Sequence, residues 1–279
     1  MIKACVIGWP ISHSRSPLIH GYWLKQHKID GSYTRQPVEP SALHEFLSTL
    51  SSAGYAGCNV TIPHKENTYR FVTAADDTTE RLGAVNTVFV REGKVFGTNT
   101  DGEGFINSLY QSAPGLSLSN ERAVVIGAGG ASLAVVNAIL EQGASEVAVA
   151  NRTIEKVHVL RQRFGTRVVP LDWDHMADQL SECSLLVNTT SLGMKGQPGI
   201  ELDLTRLSPS AVVSDIVYTP LRTKLLQDAA WKGHVVVEGL GMLLHQAVRG
   251  FSLWFGVTPE VTPELHTLAA RDIDPDYHP

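Results

Sequence analysis

The chain has 279 residues, of which 43% are hydrophobic and 18% are charged. This is the balance of a folded globular protein, and it excludes wholesale disorder. At roughly 100 to 200 residues per domain, the length fits one large domain or two ordinary ones. The 23 Lys and Arg residues form no dense run and are outnumbered by 28 Asp and Glu residues, so a nucleic-acid partner is not expected.

Cysteine usage and the N-terminus bear on the compartment. The three cysteines, Cys5, Cys58 and Cys183, are odd in number and form no C-x-x-C pair, which argues against a disulfide framework or a thiolate zinc site. The apolar stretch before Pro10 is too short for a secretory signal, so we expect a cytoplasmic protein. Residues 123–140 are uncharged, but the glycines in the middle favour a strand, a turn and a helix over a membrane span.

The first hundred residues predict a mixture of strands and helices. A strand at Lys3–Ile7 precedes Ser16-Pro17, which is a typical helix start, and that helix runs towards His27. A second helical pattern follows Pro40-Ser41 and ends near Gly54. Strands are then predicted, in chain order, at 56–62, 85–90 and 94–97, the last two joined by the turn Glu92-Gly93 as an antiparallel hairpin. We therefore expect an α/β domain with a mixed sheet.

The pattern becomes regular from Arg122 onward. Short apolar strands alternate with helices at the spacing of βαβ units, which predicts a doubly wound Rossmann domain. The predicted strands are 123–126, 146–150, 167–170, 185–188, 211–215 and 234–237. Apolar residues from Leu240 to Phe255 recur at helical spacing and predict one long amphipathic helix, with a shorter one after Pro263.

A glycine-rich segment, Gly127-Ala128-Gly129-Gly130-Ala131-Ser132, connects the first of these strands to a helix. Backbone amides at a helix N-terminus bind a pyrophosphate, and glycine allows its close approach. The segment departs from G-x-G-x-x-G/A at Ser132, which is still small. The alternative is an ordinary glycine-rich turn.

The residues after the next strand predict which dinucleotide binds. NAD enzymes carry an acidic residue there to bind the ribose hydroxyls, whereas this chain has Asn151-Arg152-Thr153, with Lys156 one helical turn further on. Arg152 can pair with a 2′-phosphate, and Thr153 can donate a hydroxyl. The cofactor is therefore predicted to be NADP(H), although such a segment taken alone is simply a helix start.

Four polar clusters lie at the ends of predicted strands in the first half: 12–17, 59–65, 84–87 and 99–102. Strand ends form the ligand crevice of an open α/β sheet, so these hydroxyls and amides suit a polyhydroxylated acid. Each cluster also has a structural explanation. Ser16 can cap a helix, Thr100 and Glu103 fit a capping box, and Lys65 can be a solvated amine.

Taken together and in this order, these motifs resemble the shikimate dehydrogenase family over nearly the whole chain. They are S-H-S-x-S-P, N-V-T-I-P-H-K, G-A-V-N-T, N-T-D-G, G-A-G-G-A-S, N-R-T, N-T-T-S-L-G-M and G-L-G-M-L. The resemblance implies reversible NADPH-dependent reduction of 3-dehydroshikimate to shikimate, within chorismate and aromatic amino-acid biosynthesis. It further implies a substrate domain at 1–102, to which 239–279 return, and a Rossmann domain at 103–238.

The resemblance also implies roles for individual residues. Substrate would be bound by Ser14, Ser16, Thr61, Lys65, Asn86, Asp101, Tyr218 and Gln246, with the two serines and Tyr218 near its carboxylate. The cofactor would be bound by Asp77, Gly127, Ala128, Gly129, Gly130, Ala131, Asn151, Arg152, Thr153, Lys156, Ile216 and Gly239, with Ile216 and Gly239 at the nicotinamide end.

Reduction of a ring ketone needs a hydride donor over one face and a proton donor at the developing alkoxide. We expect Lys65, as an ammonium, to supply the proton, and Asp101 to orient it. No metal is expected, because the sequence has no H-E-x-x-H and no cysteine clustered with histidines. The alternatives are a quinate/shikimate dehydrogenase of broader substrate or NAD specificity, and a catalytically silent NADPH-binding protein. The sequence does not decide between a monomer and a homodimer.

Overall fold

The computed structural model describes residues 1–279 and divides them into two compact units. The first unit is Met1–Thr100 with Gln246–Ala269, and the second is Asp101–His245 with Ala270–Pro279. The boundaries predicted from the sequence differ by two residues at the first junction and by seven at the second. The last ten residues join the second unit instead of the first.

The first unit is built on a six-stranded mixed sheet, sheet A. Its strands are β1 (Ile2–Gly8), β2 (Gly31–Pro37), β3 (Tyr55–Val60), β4 (Thr73–Ala74), β5 (Thr87–Arg91) and β6 (Lys94–Thr98). They lie in the order β2-β1-β3-β5-β6-β4. The pairs β1–β2 and β1–β3 are parallel, whereas β5 is antiparallel to both β3 and β6, which confirms the predicted hairpin.

Four helices of this unit connect the strands. They are α1 (Ser16–Gln26), α2 (Leu43–Thr49), α3 (Lys65–Tyr69) and α4 (Asp77–Leu82). The sequence predicted α1 and α2 but not α3, α4 or the strands β2 and β4. Strand β2 was missed because its sequence, Gly-Ser-Tyr-Thr-Arg-Gln-Pro, is polar, and only Tyr33 of the strand is buried. Such a composition is typical of an edge strand.

The second unit is a doubly wound parallel sheet, sheet B. Its strands are β7 (Arg122–Ile126), β8 (Glu146–Ala150), β9 (Val168–Leu171), β10 (Cys183–Asn188), β11 (Val212–Asp215) and β12 (Val235–Val237). The order β12-β11-β10-β7-β8-β9 is that of the Rossmann fold, in which the strand order reverses between β7 and β10. The predicted fold class is therefore confirmed.

The helices that follow in chain order are α5 (Asp101–Ser112), α6 (Gly130–Glu141), α7 (Ile154–Phe164), α8 (Lys224–Trp231), α9 (Gly239–Phe255) and α10 (Pro263–Ile273). Helix α9 begins where predicted, but its first turns pack within the second unit. A methyl group at Gly241 would lie 2.1 Å from the Ser108 Oγ on α5. This close packing explains why residues 239–245 belong to the second unit.

Apolar side chains cover both faces of each sheet. On sheet A one face buries aliphatic residues such as Ile7, Leu43 and Val88. Sheet B has one core cluster against α5 and α6 and another against α8. None of the helices is long and apolar enough to cross a membrane. Residues 123–140 form β7, the glycine loop and α6, as predicted.

Candidate functional site

The polar clusters of the first unit line up along one edge of sheet A. Asn59 is at the carboxyl end of β3, and its register partner is Thr87 at the start of β5. Thr87 in turn pairs with Thr98 at the end of β6. The antiparallel direction of β5 thus brings an amino end to the edge where β1 and β3 have their carboxyl ends. The positions of these residues along the chain do not by themselves show that they lie together.

Asn86 is at the centre of a buried hydrogen-bond network at this edge. Its Oδ1 accepts from the Thr100 backbone N–H at 2.9 Å and from the Thr87 Oγ1 at 3.0 Å. Its Nδ2 lies 3.0 Å from the Thr100 Oγ1 and 3.4 Å from the Gln246 Oε1. The Thr100 hydroxyl donates to the Gln246 carbonyl oxygen at 2.8 Å. The structure therefore brings the predicted residues Asn86 and Gln246 together, and Thr100 joins them.

Asn59 connects this network to strand β2. The Tyr33 hydroxyl donates to the Asn59 Oδ1 at 2.5 Å, and the Asn59 Nδ2 donates to the Asn86 carbonyl oxygen and to the Thr87 Oγ1, both at 3.2 Å. The Tyr33 ring stacks on the fully buried His20 with centroids 4.0 Å apart. Burial lowers the pKa of His20 to about 3, so this imidazole is neutral at physiological pH.

Ser14 and Ser16 form a pair of hydroxyls in front of helix α1. Their Oγ atoms lie 3.3 Å apart, and the Ser14 Oγ also accepts from the Ser16 backbone N–H at 3.3 Å. Ser16 is the first residue of α1, while the N-cap position is Arg15, which makes no side-chain cap. The alternative of Ser16 as a capping residue is therefore not what the structure shows. Two adjacent hydroxyls at a helix N-terminus suit an anionic oxygen pair.

The remaining predicted residues of the first unit lie on two further segments. Thr61 directly follows β3, and its backbone N–H donates to the Ile7 carbonyl oxygen at 3.0 Å. Lys65 is half-buried at the start of α3, and its carbonyl oxygen accepts from the Val85 N–H at 2.9 Å. This backbone contact fixes the root of the lysine side chain beside the segment that leads to Asn86.

Asp77, predicted near the cofactor, is an exposed residue in the first turn of α4. Its neighbour Asp76 makes the structural contacts there. Asp76 caps α4 through the Thr79 N–H at 2.9 Å and forms an ion pair with Arg249 at 3.1 Å. Burial raises the pKa of Asp76, but hydrogen bonds from Thr79 and Thr98 lower it further, so that the pKa lies below its usual value. No local sequence pattern indicates this role of Asp76, because only the fold brings Thr98 and Arg249 to it.

In the second unit, the glycine loop has the backbone of a phosphate cradle. Gly127 has φ +108°, and a methyl group on it would lie 2.7 Å from the Thr189 Oγ1. Gly129 is the N-cap of α6 and leaves that helix without a side-chain cap, and a Cβ on Gly129 or Gly130 would meet no protein atom within 4 Å. A helix N-terminus without a side-chain cap, with open space beside its glycines, fits a pyrophosphate. The buried Ser132 hydroxyl donates to the Gly129 carbonyl oxygen at 2.6 Å, which stabilises the turn.

Asn151 joins the glycine loop to the loop after β8. Its Oδ1 accepts from the Ala128 N–H at 3.2 Å, and its Nδ2 donates to the Thr153 carbonyl oxygen at 2.7 Å. Arg152 and Lys156 are exposed beside it. A cavity of about 1010 Å³ opens here and is lined by Gly127, Asn151, Arg152, Trp173, Thr190 and Leu192, among others. This size is at the top of the range of roughly 300–1,000 Å³ for ligand pockets, and the residues fit a dinucleotide with a 2′-phosphate.

The segment after β11 is held by one buried carboxylate. Asp215 accepts from the Asn188 Nδ2 and the Val217 N–H, both at 2.9 Å, and from the Thr223 Oγ1 at 2.7 Å. Burial raises the pKa of Asp215 to about 6. Tyr218, half-buried, lies three residues further on. Asp215 therefore fixes the backbone on which Ile216 and Tyr218 stand.

Ile216 and Gly239, both predicted at the nicotinamide end, are brought into contact. A methyl group on Gly239 would lie 2.4 Å from the Ile216 carbonyl oxygen, so only glycine allows α9 to begin so close to this backbone. Asp101 is the first residue of α5, 9% exposed. No group of three His, Cys, Asp or Glu side chains is arranged to hold a metal ion.

Three family models match successive parts of the chain. The shikimate dehydrogenase substrate-binding domain matches residues 6–88, the shikimate/quinate 5-dehydrogenase model residues 109–194, and the shikimate 5′-dehydrogenase C-terminal domain residues 239–263. The chain belongs to the shikimate dehydrogenase family. The predicted resemblance is thereby confirmed.

Individual members of the shikimate dehydrogenase family match over almost their full lengths. Shikimate dehydrogenase (NADP(+)) of Azorhizobium caulinodans is 49% identical over 273 residues, which cover 98% of this chain and 97% of the relative. A crystal structure of shikimate 5-dehydrogenase from Thermus thermophilus in complex with NADP(H) and shikimate is 36% identical, with a TM-score of 0.85 over 98% of this chain and 100% of that chain.

A solved structure that is named for another substrate is also similar to this chain. Quinate dehydrogenase from Corynebacterium glutamicum in complex with NAD has a TM-score of 0.88 at 28% identity, and the match covers 96% of this chain and 98% of that chain. The two similar structures thus differ in name and in the dinucleotide bound, NADP(H) in one and NAD in the other. The substrate and cofactor of this chain therefore have to be inferred from the side chains at its own site.

Proposed function

We propose that this protein is an NADP-dependent dehydrogenase that interconverts 3-dehydroshikimate and shikimate. The observation that carries the proposal is the buried polar edge of sheet A, where Asn86, Thr87 and Thr100 hold one another in place. Such an edge presents amides and hydroxyls to a ring that carries hydroxyl groups. The similarity to relatives named shikimate dehydrogenase (NADP(+)) over 98% of the chain supports the same reaction.

The substrate carboxylate binds at the paired hydroxyls of Ser14 and Ser16, and Tyr218 is the third group assigned to it. Thr61, Asn86 and Gln246 bind the ring hydroxyls. Asn86 and Gln246 are already oriented by their mutual contact, so little side-chain freedom is lost when substrate binds. This preorganisation favours a polyhydroxylated ring over an aliphatic ketone.

Lys65 is the proton donor of the reduction. Its ammonium group stabilises the alkoxide that develops on the reacting carbon and delivers a proton to that oxygen; in the oxidation of shikimate the amine accepts the proton back. Asp101 orients the amine and the substrate hydroxyl. When bound, NADPH supplies the hydride.

In the second unit, residues 127–131 bind the pyrophosphate, and Ile216 and Gly239 shape the nicotinamide end. Arg152, Thr153 and Lys156 bind the 2′-phosphate, while Asn151 keeps their loop at a fixed distance from the glycine loop. The loop after β8 carries the cation Arg152 and no carboxylate, and a second cation, Lys156, follows in the first turn of α7. The cofactor is therefore NADP(H) and not NAD.

The enzyme acts in the cytoplasm, in the biosynthesis of chorismate and the aromatic amino acids. All three cysteines are buried as free thiols, which is compatible with a reducing compartment.

The proposal is tested by following the absorbance of reduced nicotinamide with purified protein. Shikimate and quinate are each paired with NADP and with NAD. We expect rapid reduction of NADP by shikimate and much slower reactions in the other three pairings. Preferential turnover of quinate with NAD would identify a quinate dehydrogenase instead. Binding of NADPH without turnover in any pairing would identify a catalytically silent protein and overturn the roles of Lys65 and Asp101.

A further inference from the structure

Edge strand β2 carries one cation, Arg35, which contacts the loop between β1 and α1 that contains Ser14. The Arg35 guanidinium donates two hydrogen bonds to the Ser14 carbonyl oxygen, from Nε at 2.9 Å and from Nη2 at 2.5 Å. Strand β2 was not predicted from the sequence, and none of the motifs includes Arg35. The contact joins residues 21 positions apart.

The position of Arg35 follows from the sheet register. Arg35 pairs with Val6 on β1, and Tyr33, two residues earlier, pairs with Ala4. Residues two apart on a strand share a face, so Arg35 and Tyr33 lie on the same side of sheet A. Tyr33 holds Asn59, and Arg35 holds Ser14. Strand β2 therefore contacts both halves of the substrate-binding edge.

The loop that Arg35 holds is also attached to its surroundings at other points. The Ser14 N–H donates to the Ile11 carbonyl oxygen at 3.1 Å, and the Trp9 N–H donates to the Ile62 carbonyl oxygen at 3.1 Å. The Ser14–Ile11 bond closes a turn within the loop, and the Trp9–Ile62 bond fixes the beginning of the loop. The two bonds from Arg35 fix its end, next to the hydroxyl pair of Ser14 and Ser16.

Electrostatics give Arg35 a second effect. The two serine hydroxyls are neutral, whereas the substrate carboxylate carries a full negative charge. Arg35 takes part in none of the ion pairs of the structure, so its charge is not cancelled by a protein carboxylate. The guanidinium also offsets the partial negative charge of the Ser14 carbonyl oxygen, which would otherwise repel an approaching anion.

We infer that Arg35 is a positioning and specificity residue for the substrate carboxylate. It holds the Ser14 carbonyl so that the Ser14 hydroxyl faces Ser16, and its positive charge selects a ring acid over an uncharged ring. The inference rests on the proposed function, because it assumes that Ser14 and Ser16 bind the carboxylate.

The test compares Arg35→Gln and Arg35→Lys with the unmodified enzyme. Arg91→Gln is the control, since Arg91 is an exposed arginine at the far end of β5 on the same sheet. For each protein, KM and kcat are measured for shikimate, for its uncharged methyl ester and for NADP, at low and at high salt. Arg35 is exposed, so these variants are expected to fold.

For Arg35→Gln we expect the shikimate KM to rise roughly 5- to 20-fold, the size of a lost charge-assisted contact, with kcat within about threefold. The KM for NADP stays unchanged, and the ratio of ester KM to shikimate KM falls. High salt reduces the difference in shikimate KM between Arg35→Gln and the unmodified enzyme, because screening weakens the field of an exposed charge. Arg35→Lys keeps the charge without the fork geometry and gives an intermediate KM. Arg91→Gln behaves as the unmodified enzyme.

Two results would overturn the inference while leaving the proposed function intact. One is a shikimate KM unchanged in Arg35→Gln. The other is an equal rise in the KM values for shikimate, the ester and NADP, which would indicate general disturbance of the fold. If the unmodified enzyme neither binds shikimate in calorimetry nor oxidises it, the proposed function fails and the inference fails with it.

Discussion

At the scale of single residues, the proposed proton donor is the most direct target. Lys65→Ala removes the ammonium at the reacting oxygen, so we expect kcat to fall by roughly 10²- to 10⁴-fold, with a much smaller change in the shikimate KM. Steady-state kinetics in both reaction directions measure this. Lys94→Ala, which removes an exposed lysine from the β5–β6 hairpin, is the matched control. A Lys65→Ala variant with near-normal kcat would refute the role, and unimpaired Asp101→Asn would leave Asp101 without one.

The buried Asp215 makes a second residue-scale prediction, for stability against pH. Because burial raises its pKa to about 6 in the folded state, above the ordinary value near 3.9, the folded protein binds more protons than the unfolded one between these values. Stability therefore falls as pH rises through this window, by about 3 kcal/mol for this group alone. Asp215→Asn abolishes the ionisation.

Urea unfolding at pH 4 and pH 7 checks the sign of this effect. The unfolding free energy of the unmodified protein minus that of Asp215→Asn should be smaller at pH 7 than at pH 4. A difference that grows with pH would mean that the three hydrogen bonds to Asp215 outweigh its burial.

At the scale of elements, the turn between β7 and α6 separates two uses of glycine. Gly127→Ala places a methyl group 2.7 Å from the Thr189 Oγ1 at φ +108°, so it should destabilise the fold by about 2 kcal/mol or more. Gly129→Ala meets no protein atom and should change stability by less than about 0.5 kcal/mol. Its methyl group occupies the space assigned to the pyrophosphate, so the KM for NADP should rise roughly 10-fold, a loss of about 1.4 kcal/mol.

Thermal melts and the KM for NADP distinguish the two variants. If Gly129→Ala left the KM for NADP unchanged, the pyrophosphate would have to bind elsewhere. Gly127→Ala with unaltered stability would show that the loop can move away from Thr189.

The elements that were predicted from the sequence are those whose signals lie within a few neighbouring residues. The strand β7, the glycine loop and helix α6 have apolar runs and glycine punctuation within one short window, and they were found. Strand β2 has no such signal, because its residues are mostly polar. Its pairing with β1 stabilises it as a strand. Arg35 and Tyr33 stand on this strand, so their contacts with Ser14 and Asn59 were missed with it.

At the scale of the whole molecule, the two units should respond to different ligands in hydrogen exchange. Shikimate should slow the amides of 12–16 and 59–65 in the first unit, and NADP those of 127–132 and 151–156 in the second. At a ligand concentration 100 times Kd, linkage predicts about 100-fold slower exchange where opening requires release of the ligand. Helix α8 is the internal reference. Protection by shikimate confined to the second unit would contradict the assigned substrate residues.

Local patterns in the chain were sufficient to establish the fold class, the cofactor and the family of this protein. The fold class depends on the apolar strand pattern, the cofactor on Gly127 to Ser132 and on Arg152, and the family on the order of short motifs along the chain; each of these signals lies within a short window. The folded arrangement supplied the rest. It turned β5 so that Asn86 meets Gln246 across 160 residues, buried Asp215 under three donors, and placed Arg35 on the Ser14 carbonyl. Such contacts depend on strand order and register, which are fixed by packing between distant segments and leave no local pattern in the chain.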